Sequence, residues 1–323
     1  MLKFTCRSYS NIALIKYWGK KNHQEPLNPS LSFTLKNSYT EMSVSVENSD
    51  QFEFSFNFEG SENLKFKEKI RSFIKDLSFL QDKKIKISSR NSFPHSTGIA
   101  SSASAMSCLS KALHQIKGVD NVNDVSSMAR TFSGSACRSV CSGFNVWGDS
   151  ELLSGSNNQF SINIDTFVDK DFFELKNYIL VVNDKEKSKS SSQGHLDFNN
   201  SFFKDARIAQ ANAQFKKLLK ALEVRDWKVF SDVVREEALG LHGLMYLSNP
   251  PVNLLEGNSL EIINFLEPLR EKYEYRFSYS IDAGANIHLI FHCALGETVE
   301  NIFLKDLKPF VKYVIKDEVN HES

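Results

Sequence analysis

The chain has 323 residues, 41% of them hydrophobic, which is enough to bury a large core in one or two domains. Its 39 basic and 39 acidic residues cancel to a formal charge of zero, which gives no footing for a nucleic-acid partner or an anionic membrane surface. No run approaches the roughly 18 apolar residues of a membrane span, and the odd, scattered set Cys6, Cys108, Cys137, Cys141 and Cys293 suits reduced thiols better than a disulfide framework.

Met1 to Ser10 lacks the apolar core of a signal peptide, so the expectation is a cytoplasmic protein. Ile12 and Leu14 then read as an apolar strand running into Lys16, Tyr17 and Lys20 around Gly19, with Pro26, Asn28 and Pro29 marking a turn. Two lysines and a phenol beside a glycine turn can cradle an oxyanion. The same residues also read as a solvated strand end with lysines reaching to water.

Met42, Val44 and Val46 alternate with polar residues, and so do Phe52, Phe54, Phe56 and Phe58 after a turn at Asn48 to Gln51. This pattern predicts a half-buried antiparallel hairpin. Leu64, Ile70, Phe73, Ile74 and Leu77 recur at helical spacing, with Arg71 on the flank of the stripe, where an exposed helix arginine is the ordinary reading.

Ile85 and Ile87 alternate with lysines just before the stretch Phe93-Pro-His-Ser-Thr-Gly-Ile-Ala-Ser-Ser-Ala-Ser-Ala-Met106, so the local order is strand, tight loop, helix. Ile99, Ala103, Met106 and Leu113 return near one helix face. Such a loop leaves backbone N–H groups unpaired at the positive end of the helix dipole, and small side chains let an anion come close. A nucleotide phosphate is the natural guest, and Ser101 and Ser102 add hydroxyls where the phosphate or its Mg²⁺ would sit. A closely packed alanine-serine helix that binds nothing fits the same letters. Neither a lysine-bearing P-loop nor G-x-G-x-x-G occurs.

Ser133-Gly-Ser-Ala-Cys-Arg138 can open a helix whose free amides, with Ser133, Ser135 and Arg138, converge on an anion; a capping serine and an arginine in a surface pair read equally. Asn177 to Val182 reads as a buried strand, with a domain transition in the polar stretch before it, giving lobes 1–172 and 173–323. Lys185 to Gln193 is a polar basic loop, and helical patterns follow over about 200–223, 226–247 and 259–273. Arg276 to Ile281 and Ile287 to Phe291 read as paired strands around Asp282-Ala-Gly-Ala-Asn286. A carboxylate on such a turn can serve as a rigid catalytic acid or base, or be an ordinary turn aspartate. A last helix, about Thr298 to Phe310, and a strand from Val311 to Ile315 close a chain of mixed order, which predicts an α+β class in two lobes. Without H-E-x-x-H or G-x-S-x-G, metal and serine hydrolases lose their usual support.

Taken together, Asn11-Ile-Ala-Leu-Ile-Lys-Tyr-Trp-Gly-Lys20, Asn91-Ser-Phe-Pro-His-Ser-Thr-Gly-Ile-Ala-Ser-Ser102, Ser133-Gly-Ser-Ala-Cys-Arg138 and Asp282-Ala-Gly-Ala-Asn286 resemble the motif set of the diphosphomevalonate decarboxylase family. That family sits within the small-molecule kinase superfamily of galactokinase, homoserine kinase and mevalonate kinase. The resemblance implies an N-terminal lobe with a left-handed βαβ crossover, a ferredoxin-like C-terminal lobe and a cleft between them. It implies ATP-dependent decarboxylation of mevalonate 5-diphosphate with Mg²⁺, in a homodimer. Relatives that act on mevalonate 5-phosphate, or that only phosphorylate mevalonate, remain as alternatives.

By motif position, the resemblance makes Asp282, Lys16, Arg138 and Ser102 catalytic. Substrate binding would fall to Tyr17, Trp18, Gly19, Lys20, Arg71, Ser133, Gly134, Ser135, Ala136, Cys137, Arg138 and Ser192. ATP would be held by Pro94, Ser96, Gly98, Ile99, Ala100, Ser101 and Ser102, with Ser102 also approaching Mg²⁺ indirectly. Two departures stand out: Pro94-His-Ser-Thr-Gly-Ile-Ala-Ser-Ser102 replaces the usual Pro-Thr-Ala-Ala-Gly-Leu-Ala-Ser-Ser, and Asp282-Ala-Gly-Ala-Asn286 replaces Asp-Ala-Gly-Pro-Asn. Neither removes a charged group.

Overall fold

The computed structural model describes residues 1–61, 63–94, 99, 101–185, 194–195, 198–199 and 201–321. The described strands form two sheets. The first holds β1 (Leu2–Ile15), β2 (Ser30–Asn48), β3 (Glu53–Phe58), β4 (Lys83–Asn91), β5 (Phe144–Trp147) and β6 (Ile162–Asn163), in the order β3-β4-β2-β5-β6 with β1 paired to β2. The second holds β7 (Leu175–Val181), β8 (Phe277–Ile281), β9 (Ile287–His292) and β10 (Tyr313–Glu318), in the order β10-β7-β9-β8. Every pair in the second sheet is antiparallel.

The hairpin expected from the alternating stretches does not form. β4 lies between β2 and β3, antiparallel to the first and parallel to the second, and α1 (Leu64–Ile74) makes the crossover. Val44, Ile87 and Phe56 share one register row, and Val46, Ile85 and Phe54 share the next. Alternation assigned each residue to the correct face; a period of two carries no information about which strand is the neighbour.

Helices form where side chains satisfy their first amides. Asn63 accepts from Phe66 N at the start of α1, Asn121 accepts from Asn123 N and Asp124 N before α3 (Val122–Phe132), and Asp226 accepts from Val229 N before α5 (Trp227–Tyr246). α2 (Ser101–Lys117) packs against β1 and β2. α4 (Lys204–Val224) ends on Arg225 at φ 60° and turns back along α5, which covers β8. The pattern expected as one helix over 259–273 breaks into α6 (Gly257–Leu266) and α7 (Leu269–Lys272), because Pro268 has no amide to extend the ladder. The closing helical turns run from 296 and include a π turn at Val299–Phe303, so the last strand starts at Tyr313 rather than Val311.

One apolar cluster joins the sheets. Ile12, Leu14, Leu31, Phe33 and Val146 of the first pack with Ile179, Val181 and Ile290 of the second and with Phe215, Leu218 and Phe230 of α4 and α5. After β10 the chain adds to β2, with Asn320 N donating to Thr34 O at 2.8 Å. The shared core carries the end of β1 to the end of β8.

Candidate active site

Lys16 follows the last residue of β1, and the burial of Ile12, Leu14 and Ile15 fixes where it emerges. The residue is only 2% exposed, and its Nζ donates to Ser280 Oγ and to Asp282 Oδ1, both at 2.7 Å. Ser280 Oγ in turn donates to Ala13 O at 3.1 Å, pinning β8 to β1. The pleat places Ser280 and Asp282 on one side of the strand, two residues apart. His242 Nε2 donates to the Asp282 carbonyl at 3.0 Å, so the turn is held by backbone as well as by side chain.

Arg138 lies on the 3₁₀ helix Gly134–Ser139 and is 2% exposed. Its Nη2 reaches Asn11 Oδ1 at 3.5 Å, while Nε and Nη1 are buried with no partner. Burial pulls its pKa down, and the nearby Cys137, Asp282 and Tyr17 pull it back up; a guanidinium remains a cation through such a shift. A buried fork with two unpartnered donors can receive an anion.

Tyr17 stacks between Trp147, 4.8 Å between centroids, and His195, 4.3 Å. Its ring lies over Gly134, where a Cβ would come within 2.8 Å of the phenol oxygen, so glycine is what lets strand end and 3₁₀ helix meet. Burial pushes the phenol pKa up, which keeps the hydroxyl a donor, here to Gln24 O at 3.2 Å. Gly19 has φ +83°, and a Cβ there would meet Phe198 at 2.5 Å and Leu27 at 2.6 Å. Its N–H donates to His195 Nδ1 at 3.0 Å. Burial drops His195 to a pKa of about 3, so the imidazole is neutral and can accept. Half-buried Lys20 donates from Nζ to Gln24 Oε1 at 2.9 Å, and burial lowers its pKa.

Trp18 packs against His195, 4.7 Å between centroids, and into an apolar cluster with Phe198, Leu241, Met245 and Ala283. Ser133 and Ser135 are partly exposed, whereas Ala136 and Cys137 are buried and the Cys137 thiol donates to Gly134 O at 3.1 Å. The helix expected after Ser133 is a six-residue 3₁₀ segment, and the Ser133 side chain does not cap it. Ser101 and Ser102 are exposed as the first residues of α2, Ile99 is buried and Pro94 exposed. Ser96, Gly98, Ala100 and Ser192, with the loop over 186–193, lie outside the described residues. Arg71 stands exposed in the last turn of α1 and makes no hydrogen bond or ion pair with Tyr17, Lys20 or Arg138.

Four residues that hold the site's side chains or backbone escaped the sequence reading. Ser280 had a signal in the strand alternation that ends at Asp282. Asn11 lay inside a recognised motif without a role. His195 and Glu237, the latter accepting the Lys16 amide at 2.9 Å, carry no local mark that sets them apart. Among the described residues no group of three or more His, Cys, Asp or Glu side chains is placed to hold a metal. The hydroxyls of Ser101 and Ser102 at a helix start suit a Mg²⁺ whose other ligands are phosphate oxygens.

Fold and site together define a two-lobed α+β enzyme of the galactokinase, homoserine kinase and mevalonate kinase superfamily. The sequence profile of the diphosphomevalonate decarboxylase-like N-terminal domain matches residues 8–160, and that of the mevalonate 5-diphosphate decarboxylase C-terminal domain matches residues 177–320. Diphosphomevalonate decarboxylase from Danio rerio is 29% identical, with 99% of this chain and 81% of that protein covered. The crystal structure of mevalonate diphosphate decarboxylase from Staphylococcus aureus superposes with a TM-score of 0.87 at 28% identity, over 98% of this chain and 96% of that one. A structure of MDDEF in complex with MVAPP, AMPPCP and magnesium gives a TM-score of 0.86 at 28% identity, over 99% and 97%. The chain belongs to the diphosphomevalonate decarboxylase family.

Proposed function

We propose that this enzyme uses ATP to convert mevalonate 5-diphosphate into isopentenyl diphosphate, releasing ADP, inorganic phosphate and CO₂. The γ-phosphoryl group moves to the 3-oxygen of the substrate. The C3–O bond then breaks, phosphate leaving with its electron pair, while the bond between C2 and the carboxylate carbon supplies the electron pair of the alkene. Phosphate is a far better leaving group than the tertiary hydroxide it replaces.

One observation carries this reading: the Lys16–Asp282 pair, 2.7 Å apart, stands in the field of a buried arginine with two unpartnered donors. Asp282 takes or orients the 3-hydroxyl proton, and Lys16 steadies charge on that oxygen. Arg138 grips the substrate carboxylate with its free Nε and Nη1 until CO₂ departs. Tyr17, Lys20, Ser133 and Ser135 hold the diphosphate end, with Gly134, Ala136 and Cys137 shaping the 3₁₀ segment that bears the serines, Trp18 and Gly19 shaping the turn that carries Lys20, and Arg71 and Ser192 assisting. Pro94 to Ser102 form the ATP loop, with Ser96, Gly98, Ile99, Ala100, Ser101 and Ser102 at the phosphates. Bound Mg²⁺ near Ser102 would offset charge on the phosphates. The related structure holding MVAPP, AMPPCP and magnesium supports this set of ligands.

The same reading takes 1–172 and 173–323 as the two lobes of a cytoplasmic homodimer. The two profile matches support the division. All five cysteines are free thiols, and no described helix is long and apolar enough to cross a membrane. Sedimentation of the purified chain checks the dimer. The activity test offers ATP and Mg²⁺ with mevalonate, its 5-phosphate and its 5-diphosphate, recording ADP and CO₂ together. Stoichiometric ADP and CO₂ from the diphosphate is the expected result. ADP without CO₂ overturns decarboxylation, and a preference for the monophosphate overturns the substrate.

A further inference from the structure

Lys16 lies just past the last β1–β2 register pair, Ile15 with Leu31, so the sheet does not hold its peptide groups. Two side chains do. Its carbonyl accepts from Asn28 Nδ2 at 3.2 Å, and its N–H donates to Glu237 Oε2 at 2.9 Å. Glu237 is enclosed in α5 at 0% exposure, and Arg207 of α4 clasps it with Nη1 to Oε1 at 2.6 Å and Nη2 to Oε2 at 2.7 Å.

Burying a carboxylate and a guanidinium this completely carries a large desolvation cost, and an apolar pair of similar volume is often as stable or more so. An apolar pair cannot accept the Lys16 N–H, which would then be a buried donor with no partner. A neutral amide could satisfy that donor without burying two charges, so stability alone does not explain the pair. What it adds is a charged acceptor, rigid in its fork, on a backbone amide 221 residues away. That amide belongs to the residue whose Nζ meets Asp282.

We propose that Glu237, held by Arg207, is a positioning residue for the reaction: it fixes the Lys16 peptide and so places Nζ against Asp282 and the 3-oxygen of the substrate. This rests on the function proposed above, in which Lys16 stands at the reacting centre. Glu237 touches no substrate, and its effect falls on the chemical step rather than on binding.

The test uses two double variants of the full chain that both remove the buried charges. Arg207→Met with Glu237→Gln keeps an amide oxygen able to accept the Lys16 N–H. Arg207→Met with Glu237→Leu does not. The glutamine form is expected to keep kcat within about threefold of the parent. The leucine form is expected to lose about 10- to 100-fold in kcat, as small misplacements of reacting groups do, with KM for both substrates little changed; its melting temperature is expected to lie below that of the glutamine form, because the Lys16 N–H loses its acceptor. Hydrogen exchange at the Lys16 amide, read without substrate, is expected to quicken at least tenfold in the leucine form only.

Equal kcat in the two folded forms overturns the positioning role, as does unchanged exchange at Lys16. If the leucine form does not fold, a loss beyond about 30-fold in the folded glutamine form overturns it as well. A parent enzyme that releases ADP without CO₂ refutes the proposed function instead, and the exchange measurement still decides whether Glu237 holds the Lys16 peptide.

Discussion

Lys16 Nζ lies 2.7 Å from Asp282 Oδ1 although 266 residues separate them in the chain. The pair spans the two sheets: Lys16 leaves β1 of one, and Asp282 leaves β8 of the other. Any loss of register between the sheets separates the carboxylate from the ammonium, which couples the proposed chemistry to the shared core.

Replacing Asp282 with asparagine keeps the size of the side chain and removes the charge that faces Lys16 and, in the proposed reaction, the 3-oxygen. Turnover of Asp282→Asn is expected to fall by about 10³-fold or more. Nucleotide affinity, measured by titration with an ATP analogue, is expected to stay within about threefold. Near-normal turnover would remove Asp282 from its role.

Arg138 presents two unpartnered buried donors, and each unsatisfied polar group costs about 1–3 kcal/mol of stability. Arg138→Met is therefore expected to raise the melting temperature while abolishing CO₂ release, an exchange of function for stability. Arg138→Lys keeps a cation but loses the fork, and kcat/KM is expected to drop about 100-fold. A methionine variant that melts lower than the parent would contradict the account of a site waiting for an anion.

Gly19 combines φ +83° with ring atoms 2.5 Å from where a Cβ would sit. Gly19→Ala is expected to cost about 1–3 kcal/mol through backbone strain and overpacking. It should also displace Lys20 and raise KM for the diphosphate substrate more than KM for ATP. Chemical denaturation and steady-state kinetics read the two effects separately, and an unchanged midpoint would count against the strain.

His195 ties pH to stability. The fold holds its pKa near 3 by burial, whereas the unfolded chain takes up the proton at about 6.5. Its contribution is full above pH 6.5 and is lost as pH falls from there toward 3, at up to about 1.4 kcal/mol per pH unit. His195→Gln can still accept the Gly19 N–H without titrating. The drop in melting temperature between pH 7.5 and pH 5 is expected to be smaller in that variant than in the parent, and equal drops would refute the assignment.

The sequence by itself determined the local chemistry: the strand into Lys16, the strand of Ile85 and Ile87 and the helix that bears Ser101 and Ser102, the paired strands around Asp282, read as 276–281 and 287–291 and found at 277–281 and 287–292, and the α+β class. Periodicity and turn formers act over a few residues, so these elements were readable from short windows. Tertiary structure alone decided that β4 separates β2 from β3. It alone decided that Ser280 and the Arg207–Glu237 fork close around Lys16 and that His195 takes the Gly19 amide. Glu237 is one of 39 acidic residues in the sequence, and nothing near it in the chain says that its carboxylate ends on the amide of Lys16. That contact exists because two helices of the C-terminal half pack across the strand end that emerges from the N-terminal half, and long-range burial of this kind has no local period to read.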